Sequence, residues 1–337
     1  MSQISETLAF VTHLPKTDLH VHFEGLVTRQ QFGARTGGAV EAPSGEGVFK
    51  AQFANVADLI RSIRLSNVIL DSRVACATIL GAYLEQSASF GVRHVELAVE
   101  PEFHLERGLN LSDLFGGIND ALERAELELG ITSLLVLSVA RDRPVADAFA
   151  ILDLVERAGI AIRAVGIAGY DHAQPLAAFS GFMQEAAARG HAIIAHAGEG
   201  TNAAEVWEAI NEFPVHRIDH GIAAIEDRRL IRHLKESGIP LATAPVSNHL
   251  TGANKYGAAI ATLLRQGVKV SVNTDDPGTL QSSLQGDYSM LIAHQNLTPR
   301  EVLKLAANGF ASSLLEPATK AGHLTEIGDI ERRLGSG

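Results

Sequence analysis

Three histidines and one aspartate, spread from position 20 to position 275, each close a short strand-like run. TDLHVHFEG carries His20 and His22, AIIAHAGEG carries His196, and VSVNTDDPG carries Asp275. Imidazole nitrogens with a single carboxylate oxygen suit zinc or another borderline divalent cation. The chemistry this donor set predicts is activation of water. Glu199, three positions past His196, is the expected proton donor, and His220 in RIDHG is expected to orient or deprotonate the water.

Taken singly, each part has a plainer explanation. His20 and His22 share one face of a strand, because side chains two apart point the same way. They could reach one ion, but a buried, hydrogen-bonded pair accounts for them as well. His196 alone fits a structural histidine at a strand end. The adjacent carboxylates of Asp275 and Asp276 repel each other, and a cation beside one relieves the repulsion. A capping Asp before Pro277 explains one of the two, not both. The four donors together favour a metal.

Residues this far apart need a fold that gathers strand ends. Eight apolar, β-branched runs recur, at 17–23, 92–99, 132–140, 161–168, 191–197, 215–220, 239–245 and 268–274. Segments with helical spacing lie between them, such as 144–158, 175–189 and 203–212. Strands alternating with helices predict a parallel sheet, and eight repeats predict a closed (β/α)8 TIM barrel. His20, His22, His196, His220 and Asp275 all fall at carboxyl ends of these runs, the face where such barrels build active sites. A doubly wound sheet fits less well, since no Gly-rich phosphate loop is present. The stretch from Gly25 to Gly91 is long for one connection. FANVADLIRSIRLSNVIL and DSRVACATILGAYLEQSASF read as helices, so a helical insertion over about 25–90 is expected beside the mouth, as a lid or as outer packing. No linker or repeat interrupts the chain, and a single domain over 1–337 is expected.

The chain has 337 residues, 46% hydrophobic and 20% charged, with net charge −11, which suits a soluble globular enzyme and disfavours nucleic acid. A small neutral or cationic substrate fits this balance better than a polyphosphate. The single cysteine, Cys76, excludes an internal disulfide and a cysteine-rich zinc site. The amino terminus lacks a basic start followed by an apolar segment, and the best apolar stretch, 131–140, is too short to span a bilayer. A cytoplasmic protein without membrane partners is expected. Its oligomeric state is not encoded in any visible pattern.

LPKTDLHVHFEG, VELAVEP, VGIAGYD, HAGEG, RIDHG, PVSNHLTGA and NTDDP stand in that order, and the chain resembles the adenosine deaminase family over about residues 14 to 310. The resemblance implies a (β/α)8 barrel of the amidohydrolase group with one zinc, replacing the 6-amino group of a purine with oxygen. It implies that His20, His22, His196 and Asp275 bind zinc. It implies that Glu199 protonates N1, that His220 positions the attacking water, that Asp276 hydrogen-bonds N7 and that the Gly169 N–H meets N3. Glu24 stands where adenosine enzymes usually carry an Asp that contacts the 5′-hydroxyl, and it looks more like adenine deaminases and other relatives. Tyr170-Asp171 and Thr243-Ala244 also depart, from Asp-Glu and Val-Cys. Adenosine or 2′-deoxyadenosine is expected slightly ahead of adenine, with N6-modified or larger nucleosides next. A two-metal hydrolase is disfavoured, since IAIRAVGIAG has no lysine to bridge the metals. A non-catalytic barrel is disfavoured because every chemical position is filled.

Overall fold

Eight parallel strands pair in chain order: β1 (Lys16–His22), β2 (Val92–Val99), β3 (Thr132–Ala140), β4 (Ala164–Ala168), β5 (Ala192–Ala197), β6 (Val215–His220), β7 (Leu241–Thr243) and β8 (Val270–Val272). The computed structural model describes residues 3–38, 47–169, 174–252 and 258–335. Every expected run holds a strand. β7 and β8 are shorter than their runs. Pro240 has no N–H to donate, and Pro245 opens a helix just past β7.

The ring closes where the segment after β8 meets β1, at a bridge between Val21 and Asp275. The His22 N–H donates to the Asp275 carbonyl (2.9 Å) and the Asp275 N–H to the His20 carbonyl (2.8 Å). Side chains reinforce this seam. The Leu19 N–H donates to Asn273 Oδ1 (2.8 Å), and Thr274 Oγ1 donates to the buried Asp18 carboxylate (2.6 Å). Beyond the strands the two loops interlock, with the Gly278 N–H on the Gly25 carbonyl (2.9 Å). A Cβ on Gly25 would lie 2.1 Å from Asp276 Oδ1, so only glycine permits that approach.

Fifteen helices surround or precede the strands among the described residues. They are α1 (Gln3–His13), α2 (Arg29–Thr36), α3 (Val56–Ser66), α4 (Arg73–Ser89), α5 (Pro101–Leu105), α6 (Leu111–Leu129), α7 (Val145–Arg157), α8 (Ser180–Ala188), α9 (Ala203–Glu212), α10 (Arg228–Ser237), α11 (Pro245–Leu250), α12 (Ala259–Arg265), α13 (Leu284–Gln295), α14 (Pro299–Ser312) and α15 (Pro317–Gly335). The long β1–β2 connection divides in two. α4 packs against α6 and β2 as an ordinary outer helix, whereas α3 sits at the mouth. The middle of this connection, 39–46, lies outside the described residues. None of the described helices is long and apolar enough to cross a membrane.

The barrel interior is unevenly filled. Ala98, Val136, Ala164, Ala192 and Ile194, on β2 to β5, form a small apolar cluster separate from the main core. Beside it lie buried charges, Glu96 on β2 and Arg217 and Asp219 on β6.

Candidate metal and catalytic site

The carboxyl ends of β1 and β5 and the turn after β8 bring four donors together. His196 Nε2 lies 3.0 Å from His20 Nε2 and 3.1 Å from His22 Nε2. Asp275 Oδ1 lies 3.2 Å from His20 Nε2 and 3.4 Å from His22 Nε2. Donors sharing a zinc ion at about 2.1 Å in a tetrahedron stand roughly 3.4 Å apart, so this donor set fits that cation. His20 Nδ1 faces the Ala242 carbonyl at 3.2 Å, which turns its other nitrogen toward the cluster. His220 shares the cluster with His20, His196 and Asp275, but from further out, its Nε2 being 3.9 Å from Asp275 Oδ2.

Charge sorts the imidazoles. Burial opposes the His20 imidazolium, yet Asp219 and Asp275 outweigh it and push His20 up to about 9. Burial, reinforced by repulsion from His20, holds His196 well below its ordinary value and His220 down at about 3. His22 is lowered by burial as well. Burial acts against the Asp275 carboxylate, but the His20, His220 and His22 charges hold it well below the usual range. Burial and the Asp275 charge push Asp276 well above that range. Only neutral imidazoles ligate a metal, so a cation entering this cluster would displace the His20 proton.

The catalytic candidates stand on tight backbone. His220 and Asp275 both adopt left-handed conformations (φ 64° each), which cost a non-glycine residue about 1–3 kcal/mol and persist only where the surroundings enforce them. Glu199 follows Gly198, whose φ of 68° and closeness to Val206 exclude a side chain. Glu205 ties this turn down: its Oε2 accepts from the Gly198 N–H (2.8 Å) and its Oε1 from Arg141 Nη1 (2.7 Å). Glu199 Oε2 then lies 3.5 Å from His220 Nε2, and Thr251 Oγ1 donates to Glu199 Oε1 at 3.3 Å.

One cavity joins these groups. It encloses about 670 Å³ including its open mouth, within the range of small-molecule sites. His22, Glu24, Gly169, His196, Glu199, His220, Asp275 and Asp276 line it, so all the expected site residues except the deeper His20 face one space. Val56, Leu59, Ile60 and Ile63 of α3 form its apolar wall. Glu24 Oε1 accepts from the Glu100 N–H (3.0 Å) and stands 2.9 Å from His104 Nε2, while the buried Oε2 has no partner among the described residues. Glu100 also lines the cavity, raised to about 8 by burial and the Glu24 charge. Tyr170 and Asp171 lie outside the described residues, as does the last residue of PVSNHLTGA. Thr243 donates its hydroxyl to the Ser271 carbonyl (2.8 Å) within the strand layer, well behind the cavity lining.

Several participants were not anticipated. α11, within PVSNHLTGA, presents Ser247 to Asp275 Oδ2 (2.6 Å) and Asn248 to His220 Nδ1 (3.0 Å). A polar residue trio at 247, 248 and 251 beside a Pro-started helix was the available signal. Asn67, after α3, is fully buried against the cavity with neither amide atom partnered, and no motif marks it.

Fold and site together define a barrel hydrolase of the amidohydrolase type. The chain belongs to the adenosine deaminase family, whose model matches residues 15–330. An adenine deaminase from Wolinella succinogenes is 32% identical over 323 residues, covering 94% of this chain and 98% of the relative. One from Rhodopseudomonas palustris is 32% identical over 331 residues, covering 96% of each. The crystal structure of an adenine deaminase from Arthrobacter aurescens superposes with a TM-score of 0.87 at 29% identity, covering 95% of this chain and 99% of that one.

Proposed function

We propose that the protein is a zinc-dependent aminohydrolase that replaces the 6-amino group of a purine with oxygen and releases ammonia, with free adenine as its first substrate. The carrying observation is that four converging metal donors, Glu199, His220 and Asp276 meet around one cavity. His20, His22, His196 and Asp275 would hold one zinc ion, which supplies the Lewis acidity that brings a water toward ionisation at neutral pH. His220, whose Nε2 faces the donor cluster and Glu199, would orient or deprotonate that water. Glu199 delivers a proton to ring N1, which draws electron density from C6 and opens it to attack. Asp276 hydrogen-bonds N7, and the Gly169 N–H meets N3, so the ring presents one face. Glu24 Oε2 and the Asn67 amide, both lacking partners among the described residues, serve the substrate edge remote from the amino group.

Two considerations put the free base first. The relatives at 32% identity are named adenine deaminase. Among the described lining residues the cavity offers a phosphate one arginine and no lysine, and that arginine, Arg64, already donates to Asp142 (2.9 Å), so a phosphorylated substrate is disfavoured. Adenosine and 2′-deoxyadenosine form the second reading, supported by the description of the matching family. We read the chain as one domain acting on a small molecule in the cytoplasm.

The test is an ultraviolet deamination screen on protein carrying one zinc per chain. Adenine, adenosine, 2′-deoxyadenosine, N6-substituted purines and AMP would be compared. The expected order of kcat/KM places adenine first and AMP last. Zinc-loaded protein that deaminates none of them overturns the proposal.

A further inference from the structure

Arg217 lies inside the barrel at 2% exposure, surrounded by groups it holds. Its Nη1 donates to Glu96 Oε2 (2.6 Å), its Nε to Asp219 Oδ1 (3.0 Å) and its Nη2 to the Leu19 carbonyl (2.6 Å), next to His20. Glu96 is anchored in turn by the Leu314 N–H (2.5 Å). Burying three charges where apolar side chains would pack costs stability, and such groups often persist because they fix one arrangement. The chain of contacts runs from the barrel floor toward the metal donors and ends at Asp219.

Asp219 faces a group that lacks a partner. Its Oδ2 lies 3.8 Å from His196 Nδ1, a buried nitrogen without a hydrogen bond. His20 differs, because the Ala242 carbonyl already meets its Nδ1. A metal-binding imidazole directs its outer N–H at a carboxylate or carbonyl, which fixes its tautomer and orientation. We propose that Asp219 is a positioning residue for the metal centre: it takes the Nδ1–H of His196, and the Glu96–Arg217 pair holds it in place. The ring needs only a small shift to close this contact. Arg217 also ties β6 to β1 beside His20, so one guanidinium braces the strand that carries His20 and the strand that carries His220.

This inference rests on the zinc reading above, and the experiment separates the two. Zinc affinity of the wild-type protein is measured first, by competition with a chromophoric chelator. Failure of the wild type to bind zinc refutes the metal reading itself. With wild-type binding established, Asp219→Asn is expected to weaken zinc by about 10–100-fold. It should also change the visible absorption of the Co(II)-substituted protein, as His196 loses its fixed orientation. A carboxylate that only balances Arg217 would lower the melting temperature and leave zinc affinity and the Co(II) spectrum unchanged, and that result overturns the proposal. Glu96→Gln loosens Arg217 while leaving Asp219 in place, so it carries the same two measurements if Asp219→Asn does not fold. A smaller loss of affinity is expected there, and an unchanged affinity and spectrum in that variant counts against the proposal.

Discussion

Glu199 is where geometry and chemistry can be separated most cleanly. Its position depends on Gly198 and on Glu205, whereas its proposed role depends on a proton. Glu199→Gln preserves shape and removes the acid. It is expected to keep zinc and the fold while losing about a thousandfold in turnover, the scale of a general acid. Near-normal turnover would end that assignment. Asp275→Ala acts on the other half of the site. Metal content by elemental analysis should fall well below one per chain, and unchanged content would remove Asp275 from the donor set. Asp276→Asn should damage turnover with metal still bound, because Asp276 lines the cavity while Asp275 Oδ1 faces the imidazoles.

At the scale of elements, two helices do work that strands cannot. α11 starts at Pro245 just after β7 and aims Ser247 and Asn248 at Asp275 in the turn after β8 and at His220 on β6. α3 closes the mouth with an apolar face, and Asn67 lies just beyond its end. Asn67→Leu should raise KM for adenine by about tenfold, the worth of one hydrogen bond near 1.4 kcal/mol. The melting temperature should hold or rise, because a buried amide without partners is removed. An unchanged KM would show that Asn67 does not touch the substrate. The barrel strands were readable because apolar, β-branched runs imply strands whatever surrounds them, and the donors sat at their ends. Asn67 was not readable, because lacking a partner is a property of the folded cavity. The Arg217–Glu96 pair was hidden for a related reason: it joins positions 121 apart, and nothing local in either segment marks the other. Of the two roles open to the helices of 25–90, lid or outer packing, α4 takes the outer position against the barrel, and α3 alone of the two predicted helices lines the cavity.

Metal and acid should each shift the stability of the whole molecule. Ligand binding to the native state alone adds about 2.7 kcal/mol at a hundred times the dissociation constant, so chelator should lower the melting temperature and restored zinc should recover it. A melting temperature indifferent to both would argue against a site shared between strands. Acid stability should follow Glu96. Burial opposes its charge, but Arg217 outweighs burial and lowers it to about 2 from an ordinary 4.5. The unfolded chain therefore binds the extra proton between these values. Stability from this group is complete above pH 4.5 and is lost as pH falls toward 2. Glu96→Gln should be less stable at neutral pH and show a shallower decline over that window in urea unfolding. An equally steep decline would assign the acid response to other carboxylates.

The seam between β8 and β1 bears on how the protein is made. His20 and His22 emerge from the ribosome early, and Asp275 emerges after most of the chain. The nascent chain cannot bring its histidines to the carboxylate until the segment after β8 is made and bonds to β1. On the metal-site reading, capture of the ion would come late in biogenesis, and a chain stopped before Asn273 would lack both the closing hydrogen bonds and one donor. Zinc retention would thus distinguish finished molecules from truncated ones.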